Sequence, residues 1–171
     1  MALSADDVIR MLDLVPLPGE GGYFRETYRS PLTLPAVVLP RAYRSKRAAS
    51  TAIYYLLTPD SFSAMHRLRG DEVYHFYLGD PVEMLQLRED GTGVVLAIGS
   101  DIAHGMTPQL VVPGGAWQGS RLAAGGRFAL LGTTMAPGFD GRDFVLGDRT
   151  ELVRHYPAHA ALIAALTRAA G

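Results

Sequence analysis

The chain has no cysteine in its 171 residues. That absence removes disulfides, thiolate metal sites, iron–sulfur clusters and a cysteine nucleophile together, and it suits a reducing compartment. Charge of one sign is also missing: 16 Lys and Arg against 17 Asp and Glu leave a formal net charge of -1. The basic footprint of a nucleic-acid binder is therefore absent. No apolar run approaches the ~20 residues that span a bilayer, and the longest candidate, residues 52–57, is the size of a strand. Asp6 and Asp7 stand where a secretory signal would be basic and then apolar. Gly19, Gly21 and Gly22 precede a strand pattern and not a helix, so they make no phosphate-binding loop. There is no G-x-S-x-G nucleophile elbow. The expectation is a soluble cytoplasmic protein with neither nucleic acid nor membrane as partner.

Hydrophobic residues make up 48% and charged residues 19%, a globular composition, and the length suits one domain over residues 1–171. Ser4 reads as a helix cap, with Val8, Ile9, Met11, Leu12 and Val15 at helical spacing behind it. Pro16, Pro18 and Gly19 stop that helix. Strand patterns then follow at 23–29, 51–58, 61–68, 72–78, 82–88, 92–98, 110–112, 116–122 and 127–135, separated by Gly, Pro and Asp turns. Short strands at that spacing predict a β-sandwich or barrel and not βαβ units. Asp148 caps a helix at 149–155, and Pro157 opens another at 158–170. The basic run Arg41, Arg44, Lys46 and Arg47 reads as a solvated loop.

Residues 65–79, MHRLRGDEVYHFYLG, place His66, then Glu72 after a tight turn, then Gly79. Residues 113–118, PGGAWQ, place a P-x-G turn three residues before Gln118. These resemble the two motifs of the cupin superfamily. His66 matches the first motif histidine, Glu72 its glutamate and Gly79 its glycine, while Pro113 and Gly115 match the second turn. Leu68 stands where the second histidine would be, Gln118 where the third would be, Thr107 at a glycine and Leu122 at an asparagine. The phrases GGYFRETYRS (21–30), STAIYYLL (50–57), DEVYHFYLGDP (71–81), PQLVVPGGAWQ (108–118) and APGFD (136–140) resemble the Cupin_5 group, single-domain cupins without a settled function. The resemblance implies an all-β fold: a cupin double-stranded β-helix, or jelly-roll barrel, with short N- and C-terminal helices.

Strand alternation places His66, Glu72, Tyr74 and Gln118 on the inner face of that barrel, with Leu68 and Phe76 beside them. That is an apolar pocket with a few convergent polar groups, the form of a small-molecule site. Proton transfer by His66, supported by Glu72 and Tyr74, is workable near neutrality. It resembles the metal-free sugar-nucleotide isomerases and epimerases among cupins, which implies a carbohydrate-like substrate. Two further readings stay open: a non-catalytic small-ligand binder, and a metal-dependent enzyme with a divalent cation on His66, Glu72 and Gln118. Two lost histidines weigh against the cation, so the expectation is no metal. Arg25 and His75 are further substrate-binding candidates. Arg25 would reach an anionic group, in related cupins by a strand that crosses to a partner subunit. His75 lies on the outer face unless a β-bulge turns it inward. The exposed strand at 21–29 suggests a homodimer.

Overall fold

The structure, a computed structural model, describes residues 3–168. Its first helix, α1 (Ala5–Met11), opens on a capping box in which the Asp7 N–H donates to the Ser4 hydroxyl and the Ser4 N–H donates to the Asp7 carboxylate. The helical spacing runs on to Val15, but the helix ends earlier. Asp13 takes a left-handed φ of 51°, and the chain turns into β1 (Val15–Pro16). Then come β2 (Tyr23–Arg29), β3 (Thr33–Leu34), β4 (Arg47–Ala48), β5 (Thr51–Leu57), β6 (Phe62–Leu68), β7 (Glu72–Gly79) and β8 (Val82–Leu87). The remaining strands are β9 (Gly93–Ile98), β10 (Gln109–Val112), β11 (Trp117–Leu122), β12 (Ala129–Met135) and β13 (Phe144–Leu146). The C-terminal part holds α2 (Arg149–His155), a 3₁₀ turn at Pro157–His159 and α3 (Ala160–Ala165). The helix predicted over 158–170 is thus split and shorter, and residues 169 and 170 lie outside the described residues. No helix among the described residues is long and apolar enough to cross a membrane.

Two antiparallel sheets form the body. One has the order β1-β2-β5-β12-β7-β10 and the other β13-β6-β11-β8-β9; β3 and β4 form a separate pair. This is the sandwiched barrel expected of a cupin. Alternation explains three apolar layers. Tyr55, Leu57, Tyr74, Met84 and Leu131 meet between the sheets. Leu85 and Leu87 of β8 face the other way, with Met65, under Leu152 and Ile163 of the C-terminal helices. Leu56 and Leu130 turn outward beneath Val8 of α1. Strands buried on both faces lose the polar alternation of a half-exposed strand, and β8 (VEMLQL) accordingly carries apolar residues on both faces.

The basic run before β4 is not wholly solvated, as the sequence suggested. Arg47 is buried and forms a bidentate pair with Asp143, Nε to Oδ2 at 2.6 Å and Nη2 to Oδ1 at 2.8 Å. Arg69 adds a contact to Oδ1 at 2.8 Å. Burial alone would raise the Asp143 carboxyl, but the hydrogen bonds and charges of Arg47 and Arg69 outweigh it and hold the group below the usual carboxylate range. Asp143 immediately precedes β13, so the pair ties the loop before that strand to the body. Asp143→Ala leaves Arg47 buried and unpaired, and should lower unfolding free energy by about 3–5 kcal/mol. Urea denaturation checks this, with the double change Arg47→Met/Asp143→Leu recovering part of the loss. A single variant as stable as the parent would refute the assignment.

Candidate functional site

Sheet register assembles one wall of a cavity. Glu72, Met135, Thr51 and Arg29 lie opposite one another on β7, β12, β5 and β2. Tyr74, Thr133, Ile53 and Glu26 form the next row. All eight line a cavity of about 260 Å³. Glu26 and Arg29 share this face only because β2 carries a bulge: Glu26 pairs with Ile53 and Tyr28 with Ala52, so Thr27 is an extra residue that reverses the alternation. Arg29 donates to both Glu26 carboxylate oxygens, at 2.9 and 2.6 Å, and to the Phe139 carbonyl at 3.3 Å.

A second bulge builds the inner end. Gln118 of β11 pairs with His66 and Ser120 pairs with Ser63, so Ala64 and Met65 together face Gly119. A Cβ at Gly119 would lie 2.7 Å from Met65 Sδ and 3.1 Å from the Ser63 carbonyl, which leaves no room for a side chain opposite the bulge. The backbone groups freed from the ladder are reused. The Ala64 carbonyl accepts from His66 Nδ1 at 2.8 Å, and the Ala64 N–H donates to the Glu20 carbonyl at 2.9 Å. Ser63 Oγ donates to Glu20 Oε1 at 2.7 Å. Gly21 takes a φ of +107°, and a Cβ there would sit 2.4 Å from the Phe62 carbonyl, so only glycine lets the Glu20 loop lie this close to β6.

His66 is buried, and its ring stacks on Phe144 of β13 with centroids 5.1 Å apart and planes at 23°. The bond to Ala64 places a proton on Nδ1. Nε2 then presents its lone pair to the cavity, 4.0 Å from Glu20 Oε2. Burial pushes the Glu72 carboxyl above the usual carboxylate range; the His66 neighbour offsets part of that, Glu20 adds to it, and hydrogen bonds from Thr133 and Gln118 favour the charged form. Burial, with the charges of Glu20 and Glu72, also drives the Tyr55 and Tyr74 hydroxyls well up, so both keep their protons. Leu17, Phe24, Ile53, Leu68 and Phe144 make the rest of the wall apolar.

The structure brings His66, Glu72 and Tyr74 to one cavity. Gln118 lies beneath it and is not among the lining residues: its Nε2 donates to Glu72 Oε2 at 2.7 Å, and its Oε1 has no hydrogen-bond partner among the described residues. Arg25 is outside the cavity. It pairs with Asp13 at 3.4 Å and lies over the Tyr54 ring, on a strand that pairs along its length with β5 of the same chain. His75 also faces outward, against Thr134, Gln109 and the Tyr77 ring. The bulge in β7 falls after it, between the pairs of Phe76 and Leu78, and does not turn it inward. Glu20, Glu26 and Arg29 are the cavity's charged residues that sequence patterning missed. Glu20 sits in a loop with no periodicity, flagged only by the glycines around it, and Arg29 was displaced by an unreadable bulge.

Two antiparallel sheets closed over a cavity with one polar end, and with His66 and Glu72 at motif positions, define a cupin. More narrowly, residues 6–147 match the family described as Cupin_5, Cupin superfamily (DUF985), and the chain belongs to that family. It is 33% identical over 158 residues to the uncharacterized protein YML079W of Saccharomyces cerevisiae, covering 86% of this chain and 78% of that one. Among solved structures it is similar to a hypothetical protein from Leishmania major, at a TM-score of 0.87 and 34% identity over 98% of this chain and 100% of the other. Protein SO0799 from Shewanella oneidensis gives a TM-score of 0.86 and 33% identity over 99% and 100%. An oxalate decarboxylase from Bacillus subtilis shares the fold alone, with a TM-score of 0.52 at 13% identity over 91% of this chain and 37% of that one.

Cupins commonly carry a metal at the motif positions, but the donors here fit one poorly. Leu68 is a hydrocarbon wall where a second ligand would stand, and Gln118 lies below the cavity with its amide bound to Glu72. No group of three or more His, Cys, Asp or Glu among the described residues is arranged to hold a cation. Glu72 carries a different signature. Its carboxyl holds a proton to higher pH folded than unfolded, so its contribution to stability is full below the ordinary value of 4.5 and is lost as pH rises through the raised folded value. Glu72→Gln should match the parent in melting temperature in acid and exceed it near neutrality. Parallel melting curves across the whole pH range would contradict this.

Proposed function

We propose that the protein binds a small molecule with an apolar body and a polar end, and that His66 transfers a proton to or from it without a metal. The observation that carries this reading is the state of His66: Nδ1 is committed to the Ala64 carbonyl, while Nε2 opens on the cavity beside Glu20. An imidazole so oriented is a ready general base; on the facing sheet stand Tyr74, whose hydroxyl keeps its proton, and Glu72, whose carboxyl burial pushes above the usual range. Together they support isomerase or epimerase chemistry, in which a proton leaves carbon and returns. The wall favours a ligand poorer in hydroxyls than a carbohydrate. Leu17, Phe24, Ile53, Leu68 and Phe144 offer nothing to pair with a sugar's hydroxyls, and unpaired buried hydroxyls cost about 1–3 kcal/mol each.

A fragment screen by ligand-observed NMR should yield binders that compete for this cavity. Hits are then incubated in D₂O with the parent protein and with His66→Asn. The expected result is deuterium wash-in at a carbon of the ligand, slowed by about 10²–10⁴-fold in the variant. Binding with no wash-in by the parent would make the protein a non-catalytic binder. Equal wash-in by both proteins would remove His66 from the chemistry.

A further inference from the structure

Two acceptors face each other at the inner end of the cavity. His66 Nε2 is an acceptor with no hydrogen-bond partner among the described residues, on a ring only 1% exposed and aimed into the cavity. Glu20 Oε2, 4.0 Å away, is a second acceptor, because Ser63 already occupies Oε1. The Tyr55 hydroxyl, which also lines the cavity, is committed to the Gly21 carbonyl at 2.9 Å. Two acceptors that face each other across such a gap require a group carrying at least two hydrogens between them. A single nitrogen set about 2.8 Å from both would subtend roughly 90° at that atom, within reach of a tetrahedral ammonium.

We propose that this end of the cavity receives the ammonium head of a small amphipathic amine, shared between His66 Nε2 and Glu20 Oε2. The inference rests on the reading of the cavity as a small-molecule site and names the class of its ligand. Charge points the same way. Glu20 and Glu72 are the ionisable acids at this end, and the cavity's guanidinium, Arg29, is neutralised by Glu26. Arg29 also lies three strand spacings from Glu72, about 14 Å along the row. A carboxylate head at the inner end would meet Glu20 with no cation beside it. The apolar body then lies against Phe24, Ile53 and Phe144, where burial of hydrocarbon supplies affinity.

Three probes of matched shape test this on the parent protein at neutral pH: phenethylamine, 2-phenylethanol and 3-phenylpropanoate. Their binding is followed by calorimetry and by the His66 ring resonances. The amine should bind most tightly and move those resonances, and Glu20→Gln should weaken it by about tenfold or more, since a hydrogen bond to a charged group is lost. The comparison among the three probes needs no variant, so it stands even if Glu20→Gln folds poorly. Tighter binding of the alcohol or the acid would overturn the amine assignment and leave the small-molecule reading intact. An unchanged amine affinity in a folded Glu20→Gln protein would also overturn it. No binding by any of the three, with a single ordered water bridging His66 and Glu20 in a crystal, would overturn both.

Discussion

The site depends on the β-bulge at Ala64 and Met65. One extra residue in β6, opposite a glycine that could carry no side chain, withdraws two backbone groups of Ala64 from the ladder. One of them fixes the His66 ring and the other draws in the Glu20 loop. The same bulge lets Ser63 face inward to hold the Glu20 carboxylate while Met65 faces outward into the helix-covered layer. A regular strand could not do both, because its alternation would place Ser63 and His66 on opposite faces. The freed groups of Met65 are not left unpaired either: its N–H donates to the Leu166 carbonyl and its own carbonyl accepts from Gly147. The C-terminal helices therefore support the site from behind.

From the other side, Phe144 stacks on His66, and the buried Asp143 pair with Arg47 anchors the loop just before it. The imidazole is thereby held by a backbone bond in its plane and an aromatic face above it. Such preorganisation is what a proton-transfer or ligand-accepting group requires, since reorientation would otherwise consume part of the binding energy. The burial of Glu72 is the opposing cost. A carboxyl pushed above its usual range is a weakness of the fold near neutral pH.

How much of this the sequence shows depends on whether the interaction is periodic. The strands β5 to β12 are visible because β-branched and aromatic residues alternate between Gly, Pro and Asp turns, and the inner positions of His66, Glu72 and Tyr74 follow from that alternation. Arg25 follows from a family resemblance in which the strand crosses to a partner subunit; within this chain the strand pairs with β5, and the extra residue at Thr27, which has no local signature, turns Arg29 to the cavity. Arg47 read as solvated because its partner, Asp143, lies 96 residues away. Glu20 was invisible for the same reason: nothing near it in sequence shows that it lies against Ser63. The three-residue β13 is too short to carry a pattern, yet it supplies the ring that covers His66.

At the inner end of the cavity the bond to Ala64 leaves His66 protonated at Nδ1 and bare at Nε2. The most direct measurement is the ¹⁵N spectrum of the His66 ring in the ligand-free protein, at a pH where the imidazole is neutral. A protonated-type signal for Nδ1 with a bare-type signal for Nε2 is the predicted result. A proton on Nε2, with Nδ1 bare, would contradict it, because the ring could then neither hold to Ala64 as described nor offer an acceptor to the cavity.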